Sequence, residues 1–120
     1  MYTINFDSVK NRVSVSFDAL PYGAELEKYS KELLNAIDSC RNDFTILFDM
    51  TKSKAKVVSD NDIAGLKTVK DYCVKKGLKK DAFAMQSNTL KMQISRYLKD
   101  TEPKDGFFET AADAIKFLDD

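Results

Sequence analysis

The carboxylates Asp18 and Asp49 and the lysines Lys52, Lys54 and Lys56 are the side chains in this sequence that most invite a chemical reading. Each aspartate ends a stretch of strand-like alternation, and two carboxylates meeting beyond strand ends are one way to hold Mg²⁺. A phosphoryl-accepting site of that kind also wants an acidic pair after the first strand and a lysine after the fifth, and the sequence has neither. Solvated strand ends or helix caps are the expected roles of both aspartates. Histidine is absent. Every Ser–His or Cys–His nucleophile is thereby excluded, and so is any metal site with an imidazole ligand. Cys40 and Cys73 lie too far apart for a CxxC motif. Both fall on apolar faces of predicted helices, so core packing is expected, with a disulfide or reactive thiol as the alternative. No catalytic residue, cofactor motif or metal site is expected, and the chain is not read as an enzyme.

Nineteen basic and nineteen acidic residues cancel, whereas a nucleic-acid binder usually carries a basic excess. No nucleic-acid partner is expected. The charges are nevertheless uneven. Nine lysines face three aspartates between Lys52 and Lys80, and seven acids face two lysines between Asp100 and Asp120. Solvated helix faces explain such blocks plainly; the other reading is a dipole that orients a partner. A length of 120 residues with 43% hydrophobic content suits one domain, residues 1–120, with a real core. No apolar run approaches the roughly 20 residues of a membrane span. The opening residues lack the basic and apolar regions of a signal peptide, so a cytoplasmic location is expected.

The elements that must position these side chains follow from periodicity. Tyr2, Ile4 and Phe6 alternate with polar residues, as do Val13, Val15 and Phe17, which predicts an antiparallel hairpin across the Asp7–Asn11 turn. After Pro21-Tyr22-Gly23, the residues Leu26, Tyr29, Leu33, Ala36, Ile37 and Cys40 mark a helical stripe. Phe44–Met50 reads as the third strand. Ser59 has the character of an N-cap, with Asp60 and Asp62 in the first turn. The helix it opens buries Ile63, Leu66, Val69 and Cys73 and ends at Gly77. Ala82–Gln86 is a short fourth strand. Ser87 or Asn88 caps a third helix with Leu90, Ile94, Tyr97 and Leu98 on its apolar side. Phe107-Phe108 is a fifth strand, and Thr110 caps a last helix carrying Ala114, Ile115 and Leu118. This order predicts an α/β fold: a five-stranded mixed sheet in sequential order, the first strand antiparallel at one edge, and four helices mainly on one face. The polar alternates Thr3, Asn5, Ser14 and Ser16 argue that part of the other face is uncovered. Leu33, Ile37, Phe44, Ile46, Leu66 and Ile115 are the residues expected to be almost fully buried.

That order, the stretch Ala82-Phe83-Ala84-Met85-Gln86-Ser87-Asn88, and the run from Gly106 to Leu118 together resemble the SpoIIAA-like (STAS, anti-sigma-factor antagonist-like) fold. The branch most resembled is the one grouped with STAS and Sec14-type domains, and the likeness extends over nearly the whole chain. It implies a regulatory or protein-interaction module rather than an enzyme. Phosphorylated members carry a switch serine at the start of the second helix in an Asp-Ser-small-Gly context. Ser59 holds that place here but follows Val58 and precedes acidic residues, so capping is its expected role.

The alternative function is a small-molecule or lipid-binding domain, because Sec14-like relatives of this fold bind hydrophobic ligands. Phe83, Met85, Met92, Phe107 and Phe108 are the candidate lining of such a pocket. A pocket between sheet and helices would favour this reading, and a filled core the interaction reading. The candidate edge for a protein partner or a small anion collects Asp49, Thr51, Lys52, Ser53, Lys54, Lys56, Ser59, Ser87 and Asn88, at the carboxyl ends of the strands. The Thr51–Val58 loop there exceeds the usual two to six or so residues of a strand-to-helix connection. Self-association as a homodimer, through the edge strand or the exposed sheet face, is also expected.

Overall fold

The computed structural model describes residues 2–19, 21–53 and 60–120, the side chains of residues 60, 61, 62 and 64 excepted. β1 (Tyr2–Asp7) and β2 (Arg12–Phe17) pair antiparallel in the expected hairpin. Asp7 shapes its turn, one carboxylate oxygen accepting from the backbone N–H of Val9 at 3.0 Å and of Lys10 at 3.1 Å. Asn11 closes it in the left-handed region, φ 56°, which asparagine tolerates better than most side chains. Its amide accepts from the Arg41 N–H at 2.9 Å and donates to the carbonyls of Arg41 and Asn42. The hairpin is thereby tied to the loop that enters the next strand.

The remaining elements are α1 (Gly23–Asp38), β3 (Phe44–Asp49), α2 (Asp60–Lys76), β4 (Leu78–Ala84), α3 (Asn88–Leu98), β5 (Gly106–Phe108) and α4 (Ala111–Asp119). The five strands lie in the order β1-β2-β3-β4-β5, and every pair except β1–β2 is parallel. Two caps fall where the sequence puts them. The Ser87 hydroxyl accepts from the Leu90 N–H at 3.2 Å, and that of Thr110 from the Asp113 N–H at 3.2 Å. The Ser59 cap lies outside the described residues.

β4 corrects the sequence reading. It runs from Leu78 rather than Ala82 and ends before Met85. Gly77 makes the early start possible, turning the chain from helix to strand at φ +101°. Lys79, Lys80 and Asp81 conceal the strand from a hydrophobic pattern, yet two of them have inward partners. Lys80 donates to the Phe117 carbonyl at 3.0 Å, and Asp81 meets Lys70.

The sheet is covered unequally. Val13, Val15, Phe17, Ile46, Phe48 and Phe83 pack against α1, α2 and α3 in the main core. The alternate residues Leu47, Ala82 and Ala84 pack against Ala114 and Leu118 of α4 on the opposite face. Thr3 and Asn5 on the β1 side are exposed, and Ser14 and Ser16 half-buried, which is why those strands alternate so cleanly. Leu33, Ile37, Phe44 and Ile46 are at most 1% exposed. Leu66 and Ile115 are only half-buried. Leu66 borders an open pocket, and Ile115 lies at the border of the second, smaller cluster.

Candidate functional site

A pocket opens between the sheet and the helices beyond the carboxyl ends of β2 and β3. Phe17, the last residue of β2, together with Phe48 and Met50 supplies its sheet side. α1 contributes Leu26, Tyr29, Ser30 and Leu33; α2 contributes Ile63, Gly65, Leu66 and Val69; α3 contributes Leu90 and Ile94. Pro21 completes the lining, and the space amounts to about 140 Å³. These are the inward positions of three amphipathic helices that meet without closing. Among the described residues no charged side chain lines the pocket, and Tyr29 and Ser30 are the lining residues with polar side chains. Tyr29 is 7% exposed, and burial pushes its hydroxyl above the usual tyrosine range. Its ring is fixed edge-on to Tyr2 at 5.1 Å and tilted on Phe17 at 5.3 Å.

The lining expected from sequence is not the lining found. Phe83 stacks between Phe48 and Phe107, with ring centroids 4.8 and 5.4 Å away, inside the core. Met85 is buried elsewhere, Met92 is 67% exposed on the outside of α3, and Phe108 packs on Phe117. The helix stripe residues Leu26, Leu33, Leu66 and Leu90 were visible in the periodicity, but periodicity cannot distinguish a filled seam from an open one.

The candidate partner edge is partly assembled. One Asp49 oxygen accepts from the Thr51 N–H at 3.0 Å and its hydroxyl at 2.7 Å, so both residues shape the turn after β3. Lys52 is exposed beside them. Ser53 donates its N–H to the Met50 carbonyl at 3.1 Å, which places the turn at the pocket. Ser87 and Asn88 follow the neighbouring strand β4, Ser87 occupied in capping and Asn88 exposed. Lys54, Lys56 and Ser59 lie outside the described residues. Among the described residues no group of acids or cysteines converges to hold a metal ion, and Asp18 is exposed. Cys73 is buried and Cys40 half-buried, both as free thiols. Burial raises both, Cys73 to about 12, consistent with the packing role expected of them.

Sequence reasoning missed a second constellation altogether. Lys70 of α2, Asp81 of β4 and Asp105 before β5 form a buried ionic cluster with side chains 3–5% exposed. The Lys70 ammonium donates to both Asp81 oxygens at 3.0 and 2.9 Å, to Asp105 at 2.8 Å and to the Pro103 carbonyl at 2.7 Å. Burial raises the Asp81 carboxyl far above the ordinary range, to about 8; Asp105 pushes the same way and Lys70 opposes. The signal was in the spacing. Lys70 stands on the same helical stripe as Ile63, Leu66 and Cys73, where a solvated lysine has no place. The lysine-rich block is therefore not wholly a solvated face.

No protein-family model matches the chain, and no curated protein matches it. Among solved structures the chain is similar to an uncharacterized protein from the DUF3478 family with a SpoIIAA-like fold, from Shewanella loihica PV-4. Identity is 16%, with 98% of this chain and 93% of that chain covered at a TM-score of 0.67. The fold is SpoIIAA-like, as the residues 82–88 and 106–118 implied. No helix among the described residues is long and apolar enough to cross a membrane.

Proposed function

We propose that this chain is a non-catalytic binding module whose pocket takes a small, uncharged, apolar ligand or the apolar end of a larger one. The observation that carries this reading is the pocket itself, whose described lining is apolar apart from Tyr29 and Ser30 and carries no charge. An ion placed there would lose its hydration without compensation, whereas a hydrocarbon group loses nothing. The space of about 140 Å³ compares with the roughly 150 Å³ cavity known to admit benzene. A single ring or a short branched alkyl group is the matching size.

Toluene titrated into the protein and followed by NMR tests the reading. The informative variant is Gly65→Leu, because Gly65 lines the pocket, a Cβ there meets nothing within 4 Å, and the added side chain is expected to take up pocket space. Saturable binding that this variant abolishes is the expected result. Equal binding by both proteins places the ligand elsewhere.

A second reading concerns the adjacent edge. Exposed Lys52 follows Met50, a pocket residue, by two positions, so an acidic partner or a small anion docking there would sense the pocket's contents. This is the regulatory role in its concrete form. Replacement of Lys52, Lys54 and Lys56 by Ala should weaken capture of that partner while circular dichroism stays unchanged. Self-association belongs with it, through the β1 edge or the polar half-face of Thr3, Asn5, Ser14 and Ser16. A mass twice that of the chain in light scattering supports it, and a monomer at all concentrations removes it.

A further inference from the structure

The apolar pocket and the Lys70–Asp81–Asp105 cluster share a partition. A void of about 10 Å³ touches Lys70 and Asp81, and three of the residues around it, Phe48, Leu66 and Val69, also line the pocket. One layer of side chains thus separates the ligand space from the Asp81 carboxyl and the Lys70 ammonium, which Asp105 also holds. Val69 and Lys70 are consecutive on α2, so the helix that forms one side of the pocket is also the helix anchored by the cluster.

With all three groups ionised, the cluster carries one net negative charge out of reach of solvent. One proton neutralises it. Few other groups face Asp81. α2 presents the Lys70 ammonium and the Cys73 thiol, and the segment before β5 presents Asp105, while its Pro103 carbonyl accepts from Lys70. Around the void, β3 and α3 contribute Ile46, Phe48 and Leu98, and β4 itself adds Phe83. Nothing among these supplies a second cation.

We propose that this cluster makes ligand binding proton-linked: an apolar occupant of the pocket is held more tightly when the cluster carries its extra proton, and the ligand's arrival draws that proton in. The inference rests on the pocket reading above. Its physical basis is solvation. An open pocket admits solvent, which partly stabilises a net charge one side-chain layer away. An apolar ligand replaces that solvent with a medium of low polarisability, so the charged cluster becomes costlier and the neutral one gains. Binding linkage makes the effect reciprocal: a ligand that favours the protonated cluster is released as the proton leaves.

Two measurements on the full chain test this, both with toluene as the probe. Affinity is first compared at about pH 6 and about pH 9, either side of the raised Asp81 carboxyl. We expect binding at least about fivefold weaker at the higher pH, and expect Asp81→Asn to abolish the difference while staying near the tight limit. Calorimetry of the unaltered protein near pH 8, in two buffers of different ionisation heat, then counts protons without any variant. Net proton uptake on binding is the expected result. Equal affinity at both pH values with no proton uptake overturns the linkage and leaves the pocket reading standing. Failure of toluene to bind at either pH overturns both. An Asp81→Asn protein that folds yet keeps the native pH dependence overturns the assignment to this cluster.

Discussion

The guanidinium of Arg12, 7% exposed at the start of β2, donates to the carboxylate of Asp119 at 2.7 Å, across 107 positions of sequence. The same side chain donates through Nε to the Thr45 hydroxyl at 2.8 Å. One residue therefore fastens the last turn of α4 to two strands on the sparsely covered face. Removing a buried, doubly bonded donor costs about 1–3 kcal/mol, so Arg12→Ala should lower the urea midpoint accordingly. It should also speed amide exchange in the last turn of α4 before that of α1. Asp119 is the exposed end of the pair. The Arg12 hydrogen bond lowers its carboxyl pKa, and Asp119→Asn should have much the smaller effect. Equal losses from both substitutions would contradict this asymmetry.

The stability of the protein should fall as pH rises through neutrality. Asp81 has a folded-state pKa above its unfolded value, raised first by burial and then by Asp105. Between the ordinary carboxylate range and about pH 8, the folded chain holds a proton that the unfolded chain has released. Stability there decreases with increasing pH. Asp38 and Asp119 are shifted the other way by Tyr72 and Arg12 respectively, so their contributions are lost only as pH falls into the acid range. Urea melts at about pH 5.5 and about pH 8.5 should therefore give the higher midpoint at the lower pH. Asp81→Asn should flatten the difference. A midpoint that rises with pH would show that the cluster is ionised throughout.

Asp81 and Lys70 show how far the sequence could be read. The sheet order followed from the alternation of apolar and polar residues, because each strand and helix must bury a face. Asp81 escaped because charge at a strand position looks like a loop until its partner is known. That partner, Lys70, is eleven positions away on a different element. The pocket's lining escaped for a related reason. Leu33 and Leu66 have the same spacing whether the helices touch or stand apart, and only their packing distinguishes the two.

Gly65 within α2 and Gly77 just beyond it should respond oppositely to alanine. A Cβ at Gly65 has open space around it, so Gly65→Ala should stabilise the helix by about 0.5–1 kcal/mol through lost freedom in the unfolded chain. At Gly77 an added Cβ would come within 1.8 Å of the Asn42 side-chain oxygen, at φ +101°. Gly77→Ala forces both a collision and a left-handed backbone, with backbone strain alone of about 1–3 kcal/mol. Thermal melts of the two variants should move in opposite directions. A Gly77→Ala protein as stable as the native one would mean that the α2–β4 turn is wrongly described.

Leu33→Ala and Ile46→Ala should each cost about 2–5 kcal/mol in a urea melt, since both side chains are 1% exposed. Their further consequences differ with what each side chain borders. Leu33 lines the pocket, so its truncation enlarges the ligand space and should admit a bulkier ring than toluene. Ile46 borders the void beside Lys70 and Asp81. Its truncation makes room for water next to the buried carboxyl, which relieves the desolvation that raises Asp81. Ile46→Ala should therefore lose part of the pH dependence of stability, and Leu33→Ala should keep it. Comparing urea midpoints of the two variants across the same pH range separates these effects. Equal slopes in both would show that packing beside Asp81 does not set its affinity for the proton.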